Sequence, residues 1–74
     1  MPGYQGHKNR NHWNVALWIN NDEPTYRMAQ SAVRRMPNKD EAARELLGDL
    51  PSHTPDGNPY SFSSIRAALR GLEA

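Results

Sequence analysis

The 74-residue chain contains no cysteine. Neither a disulfide framework nor a thiolate metal cage can staple it, and the usual mark of a small secreted domain is missing, so a reducing cytoplasm is the expected compartment. Long apolar runs are also missing. Nothing approaches the roughly 18 residues a membrane helix needs, and the opening stretch lacks the apolar segment of about 7–15 residues and the cleavage site of an export signal. A charge excess is lacking too: nine Lys and Arg against eight Asp and Glu leave +1. That balance argues against a polyanion mimicking DNA and against a strongly basic phosphate binder. Finally, there is little chain, with room for one hydrophobic core only.

What is present organises into segments. Residues 1–10 hold Pro2, Gly3 and Gly6 without apolar periodicity and read as an irregular arm. Lys8 and Arg10 lie in this arm with no acid near them, whereas the body carries seven basic and eight acidic side chains. Residues 11–74 are expected to form a single helical domain.

From Asn11 onward, Trp13, Val15, Ala16, Leu17, Trp18 and Ile19 cover most of a helix circumference at about 100° per residue. Asn11 is the expected N-cap, and Asn20 or Asn21 the left-handed residue that ends the helix. Alternation of Trp13, Val15, Leu17 and Ile19 also fits a strand. Helix is favoured because no second convincing strand is offered to pair with it, unless strands pair across a dimer.

A second helix is expected from the Asp22 cap with Pro24 in its first turn, facing inward through Tyr26, Ala29, Val33 and Met36 and stopping at Pro37. Asn38 to Glu41 has the form of a capping box opening a third helix, with Ala42, Ala43, Leu46, Leu47 and Leu50 turned inward and Pro51 closing it. Residues 52–60 (SHTPDGNPY) are the longest loop of the body. Ser61 caps a last helix with Phe62, Ile65, Ala68, Leu69 and Leu72 in its apolar stripe. The expected fold is all-α, a compact bundle of about four short helices with an irregular N-terminal arm.

Chemistry is hard to find in this pattern. Ser63 and Ser64 lack any nucleophile signature and read as local hydrogen-bonders in a first helical turn. His7 and His12 are five residues apart and share no helix face, and neither they nor His53 has metal-site spacing with an acid. No catalytic residue, metal or cofactor is expected. Trp13 and Trp18 read first as core, although an exposed tryptophan would be a partner anchor. Arg27, Arg34 and Arg35, with Arg66 and Arg70, would form a basic patch if the second and fourth helices lie side by side. The alternative is an ordinary solvated face balanced by Glu41, Glu45 and Asp49.

Tyr4, Gly6, Asn9, the run from His12 to Glu23 (HWNVALWINNDE) and Tyr26-Arg27 resemble a small uncharacterised family encoded by bacteriophages and mobile elements. The resemblance continues through Thr54-Pro55-Asp56-Gly57 and from Tyr60 to Arg70. It implies no catalytic residue. Its genomic setting implies a non-enzymatic protein that binds a host or defence protein and blocks it by steric occlusion, in the manner of anti-CRISPR or anti-restriction inhibitors. Trp13, Trp18, Arg27, Arg34, Arg35, His53, Arg66 and Arg70 are the candidate contacts. The alternative is a nucleic-acid-binding accessory protein that grips phosphates with Lys8, Arg10, Arg66, Arg70 and the second-helix arginines. A homodimer is compatible with the small core and the apolar first helix.

Overall fold

The computed structural model describes residues 9–70 and 72. Four helices follow one another: α1 (Arg10–Asn21), α2 (Glu23–Arg35), α3 (Lys39–Asp49) and α4 (Phe62–Ala68). They form a ring in which α1 touches α2 and α4, α3 touches α2 and α4, and the diagonal pairs do not meet. The all-α expectation is met, and no strand occurs among the described residues beyond an isolated antiparallel bridge between His53 and Pro59. No described helix is long and apolar enough to cross a membrane.

The ends of α1 differ from expectation. Asn9, not Asn11, is the cap, its Oδ1 accepting the His12 N–H at 2.9 Å. Arg10, assigned to the arm by sequence, is therefore the first helical residue, while Lys8 and the residues before it lie outside the described residues. Asn11 lies inside the first turn, and its side chain serves another element, donating from Nδ2 to the Pro59 carbonyl at 2.9 Å. Neither Asn20 nor Asn21 ends the helix in a left-handed turn. The stop is Asp22, in extended conformation (φ −92°, ψ 113°), its N–H still bonded to the Trp18 carbonyl.

The same Asp22 opens α2, its Oδ2 accepting from Thr25 Oγ1 at 2.6 Å and from the Thr25 N–H at 3.3 Å. One residue thus ends one helix and begins the next, with Pro24 in the first turn where a missing N–H costs nothing. Helices α2 and α3 both end two residues before a proline. Met36 and Leu50 are extended (ψ 152° and 157°), as the ring of a following proline demands. Asn38 caps α3 by accepting from the Glu41 N–H, but the Glu41 carboxylate pairs with Arg44 at 3.0 Å instead of turning back on the cap. At α4 the reciprocal box is complete: Ser61 and Ser64 each accept the other's backbone N–H.

The core comprises Val15, Ala16, Ile19, Ala29, Ala32, Ala42, Ala43, Leu46, Ile65, Ala68, Leu69 and Leu72. Half of these are alanine, so the helices approach closely and the larger Tyr26, Met28, Val33, Met36, Leu50 and Tyr60 seal the edges. Leu69 and Leu72 lie beyond the end of α4 but remain buried, the Leu72 N–H closing a turn on the Leu69 carbonyl. Two apolar residues assigned inward are exposed: Leu47, and Phe62, whose ring lies under the Arg44 guanidinium at 5.3 Å.

Candidate functional site

Asn14 is a poor helix former in the middle of an apolar helix, because its amide competes for backbone bonds. Its position is explained by the loop it holds. Buried to 1% exposure, it accepts from the Thr54 hydroxyl at 2.7 Å and donates from Nδ2 to Asp56 Oδ2 at 2.8 Å. Trp18, one turn further along α1, donates its indole N–H to the same Asp56 oxygen at 3.0 Å. With Asn11 on the Pro59 carbonyl, three side chains of α1 clamp the 52–60 loop along one flank of the helix.

The loop is also ordered from within. Thr54 donates its N–H to the Asn58 carbonyl and accepts from the Gly57 N–H through its carbonyl and from the Asn58 N–H through its hydroxyl. Tyr60 donates to the Ser52 carbonyl. Gly57 sits at φ +90°, the left-handed region that a side chain disfavours. The outcome is a closed turn whose tip, Pro55-Asp56-Gly57, and whose shoulders, His53 and Pro59, face solvent. His53 Nδ1 lies 2.9 Å from the Ser52 hydroxyl. The Asp56 carboxyl is held below its ordinary pKa, first by the Asn14 hydrogen bond and then by that of Trp18, with a further contribution from Arg10. Burial holds the Tyr60 hydroxyl above its ordinary pKa, with the Asp22 charge adding to it.

Trp13 and Trp18 are both half-buried, so neither is wholly core, and Leu17 beside them is 37% exposed. His12 is buried, and its Nε2 lies 3.0 Å from the Ser63 hydroxyl, joining α1 to α4. The Ser63 contact is therefore long-range rather than local, whereas Ser64 bonds locally at the cap.

The basic patch does not assemble, because α2 and α4 sit diagonally across the ring. Arg27 pairs with Glu23 at 2.6 Å, Arg35 with Glu45 at 2.5 Å and Arg66 with Asp40 at 2.6 Å. Arg34 is exposed on α2. Arg70 lies past the end of α4 in a turn, its carbonyl accepting from Lys39 Nζ at 3.0 Å. A groove of about 310 Å³ between α2 and α3 has Met28, Ala32 and Leu46 among its lining, with Arg27, Arg35 and Asp49 at its rim. Glu45 Oε1 is buried without a hydrogen-bond partner. Among the described residues, no group of three or more His, Asp or Glu side chains could hold a metal ion.

The structure thus brings Trp13, Trp18 and His53 to α1 and its loop and distributes the arginines over other faces. By sequence Asn11 is expected as a cap, and Asn14, Thr54 and Asp56 enter only through the family resemblance; none of the four is among the expected contact residues. The available signal was an asparagine between Trp13 and Val15, where packing alone would have favoured an apolar residue.

No curated protein and no solved structure matches the chain. The two segments that carried the resemblance to an uncharacterised family, the α1 run and the Thr54-Pro55-Asp56-Gly57 turn, are the two that meet in the clamp. The sequence model of a family of unknown function, DUF7249, matches residues 1–68, and the chain belongs to that family.

Proposed function

We propose that the chain is a non-catalytic protein-binding factor whose recognition element is the 52–60 loop displayed on α1. One observation carries this reading: three α1 side chains, Asn11, Asn14 and Trp18, hydrogen-bond an otherwise exposed turn to the helix. Ordering a loop before binding removes part of the entropy cost of association, which is the benefit a recognition loop draws from such a scaffold. His53, Pro55 and the open side of Trp18 are the contacts it offers, a rigid aromatic and proline surface with adaptable polar groups around it. Combined with the resemblance to phage and mobile-element proteins, this favours stoichiometric occlusion of a host or defence protein, in the manner of anti-CRISPR or anti-restriction inhibitors.

The test is affinity capture from host lysate with the wild-type chain and with a His53→Ala/Pro55→Ala variant, whose changes lie on the exposed loop. A specific protein retained by the first and lost by the second supports the reading; capture of nothing above background by the wild type counts against it. A mobility shift on DNA or RNA that weakens steeply with salt and vanishes in Arg66→Ala/Arg70→Ala would favour phosphate contacts instead.

A further inference from the structure

Asp56 is the one acid in the chain that is followed by glycine; Asp22 and Asp40 precede glutamate, and Asp49 precedes leucine. At an Asp–Gly step the glycine nitrogen can attack the side-chain carbonyl carbon of the aspartate. No Cβ on the following residue blocks the approach, and glycine reaches backbone conformations that other residues avoid. Both residues are exposed at the loop tip. Such a step rearranges with time unless something holds it.

Here both reacting groups are held. The carboxylate accepts from Asn14 Nδ2 at 2.8 Å and from the Trp18 indole N–H at 3.0 Å, which ties the side chain to α1. The nucleophile is tied to the loop itself: the Gly57 N–H donates to the Thr54 carbonyl at 2.8 Å, and Thr54 and Asn58 close the same turn with two further bonds. Attack requires the carboxyl group to swing towards the Gly57 nitrogen and that nitrogen to give up its proton. Bonds on both partners must therefore break first. Ionisation acts in the same direction. A carboxylate is a poor electrophile, the protonated acid being the form that loses water, and the bonds from Asn14 and Trp18, with the Arg10 charge, keep Asp56 below its ordinary pKa.

We propose that Asp56–Gly57 is a site of spontaneous isoaspartate formation which the α1 clamp suppresses, so that the loop is converted only when it leaves the helix. In the open loop a bond forms between the Gly57 nitrogen and Asp56 Cγ. The Gly57 N–H proton and the Cγ hydroxyl depart as one water, leaving a five-membered succinimide. Water then adds back. Addition at Cγ restores aspartate; addition at the main-chain carbonyl carbon of residue 56 leaves the backbone running through the side chain, one carbon longer, with the carboxylate on Cα. No cofactor, oxidant or enzyme enters the balance. The displaced carboxylate no longer meets Asn14 and Trp18 in register, so the clamp cannot re-form as before and the chain keeps a record of having opened. This chemistry holds whether or not the loop binds a partner.

The test stores the full wild-type chain at physiological temperature in mildly acidic buffer, with and without guanidinium chloride. Isoaspartate at residue 56 is followed by peptide mapping with electron-transfer fragmentation, which separates the two isobaric forms. Conversion is expected in guanidinium and is expected to be at least about tenfold slower in native buffer, because only the opened fraction reacts. Trp18→Phe keeps a ring and loses one bond to Asp56; it should raise the native rate several-fold with unchanged helical circular dichroism. Asn38→Ala weakens the α3 cap, away from the loop, and should leave the rate near that of the wild type, which separates loop opening from global unfolding. Equal rates in native buffer and guanidinium, no conversion at residue 56 in guanidinium, a native rate indifferent to Trp18→Phe, or an equal acceleration by Asn38→Ala overturns the proposal.

Discussion

Asn14 satisfies a hydroxyl and a carboxylate at once and is itself fully enclosed. Asn14→Leu keeps the branched shape of the side chain and raises helix propensity but leaves the buried Thr54 hydroxyl without its acceptor, so urea denaturation is expected to show a loss of about 1–3 kcal/mol. Asn14→Asp is the sharper probe: it still accepts from Thr54 but faces Asp56 with a second carboxylate and no donor. It should destabilise at neutral pH and recover in acid. Asp56 in the wild type behaves oppositely. Its folded pKa is depressed, so its contribution is present above the unfolded value and is lost as pH falls through the lower folded one. The Trp18 indole N–H resonance is expected to move with a midpoint below that of an ordinary aspartate, as the loop detaches. A midpoint at or above the ordinary aspartate value would mean that the bond to Asp56 does not hold the carboxylate in solution.

Among the elements, capping residues decide where helices begin and prolines where they end, and this grammar was legible in the sequence at Asp22, Asn38, Ser61, Pro37 and Pro51. It failed at α1 because two asparagines compete there. Asn9 and Asn11 have the same intrinsic capping ability; the helix starts from Asn9, and Asn11, inside the first turn, is used on the Pro59 carbonyl far along the chain. The clamp was hidden for the same reason, since its bonds join residues about forty positions apart. The arginine patch depended on whether α2 adjoins α4, a question of ring order that no local pattern answers. Two expectations belong at this scale. Ser61→Ala removes the half of the α4 box that its hydroxyl makes, leaving the residue-61 N–H on Ser64 Oγ, and should cost about 1 kcal/mol, read as a lower unfolding midpoint. Gly57→Ala meets no neighbouring atom, so its cost, about 1–2 kcal/mol, comes from the left-handed backbone alone. Faster amide exchange confined to residues 54–58 would accompany it.

For the molecule as a whole, the narrow margin comes from an alanine-rich core. Stability of roughly 0.05–0.15 kcal/mol per residue is typical of folded domains, and only a few large side chains, chiefly Ile19, Leu46, Ile65 and Leu69, fill this centre. Ile65→Ala is expected to remove about 2–5 kcal/mol, a large fraction of the total, and to leave a chain that is partly unfolded near physiological temperature in thermal denaturation monitored at the helical band. The paired charges on the surface cannot offset this: Arg27–Glu23 and Arg44–Glu41 are open to solvent and contribute little.

Asp22 has one more consequence, for how such a chain tolerates length change. Because α1 ends and α2 begins on the same residue, there is no slack between them. Inserting even one residue there would separate the cap from Thr25 or rotate α2 away from its seat. The Pro55-Asp56-Gly57 tip has little slack either, since Asp56 accepts from Asn14 and Trp18 and the Gly57 N–H bonds the Thr54 carbonyl. The elbow at Asp22 is where a length polymorphism should be least tolerated.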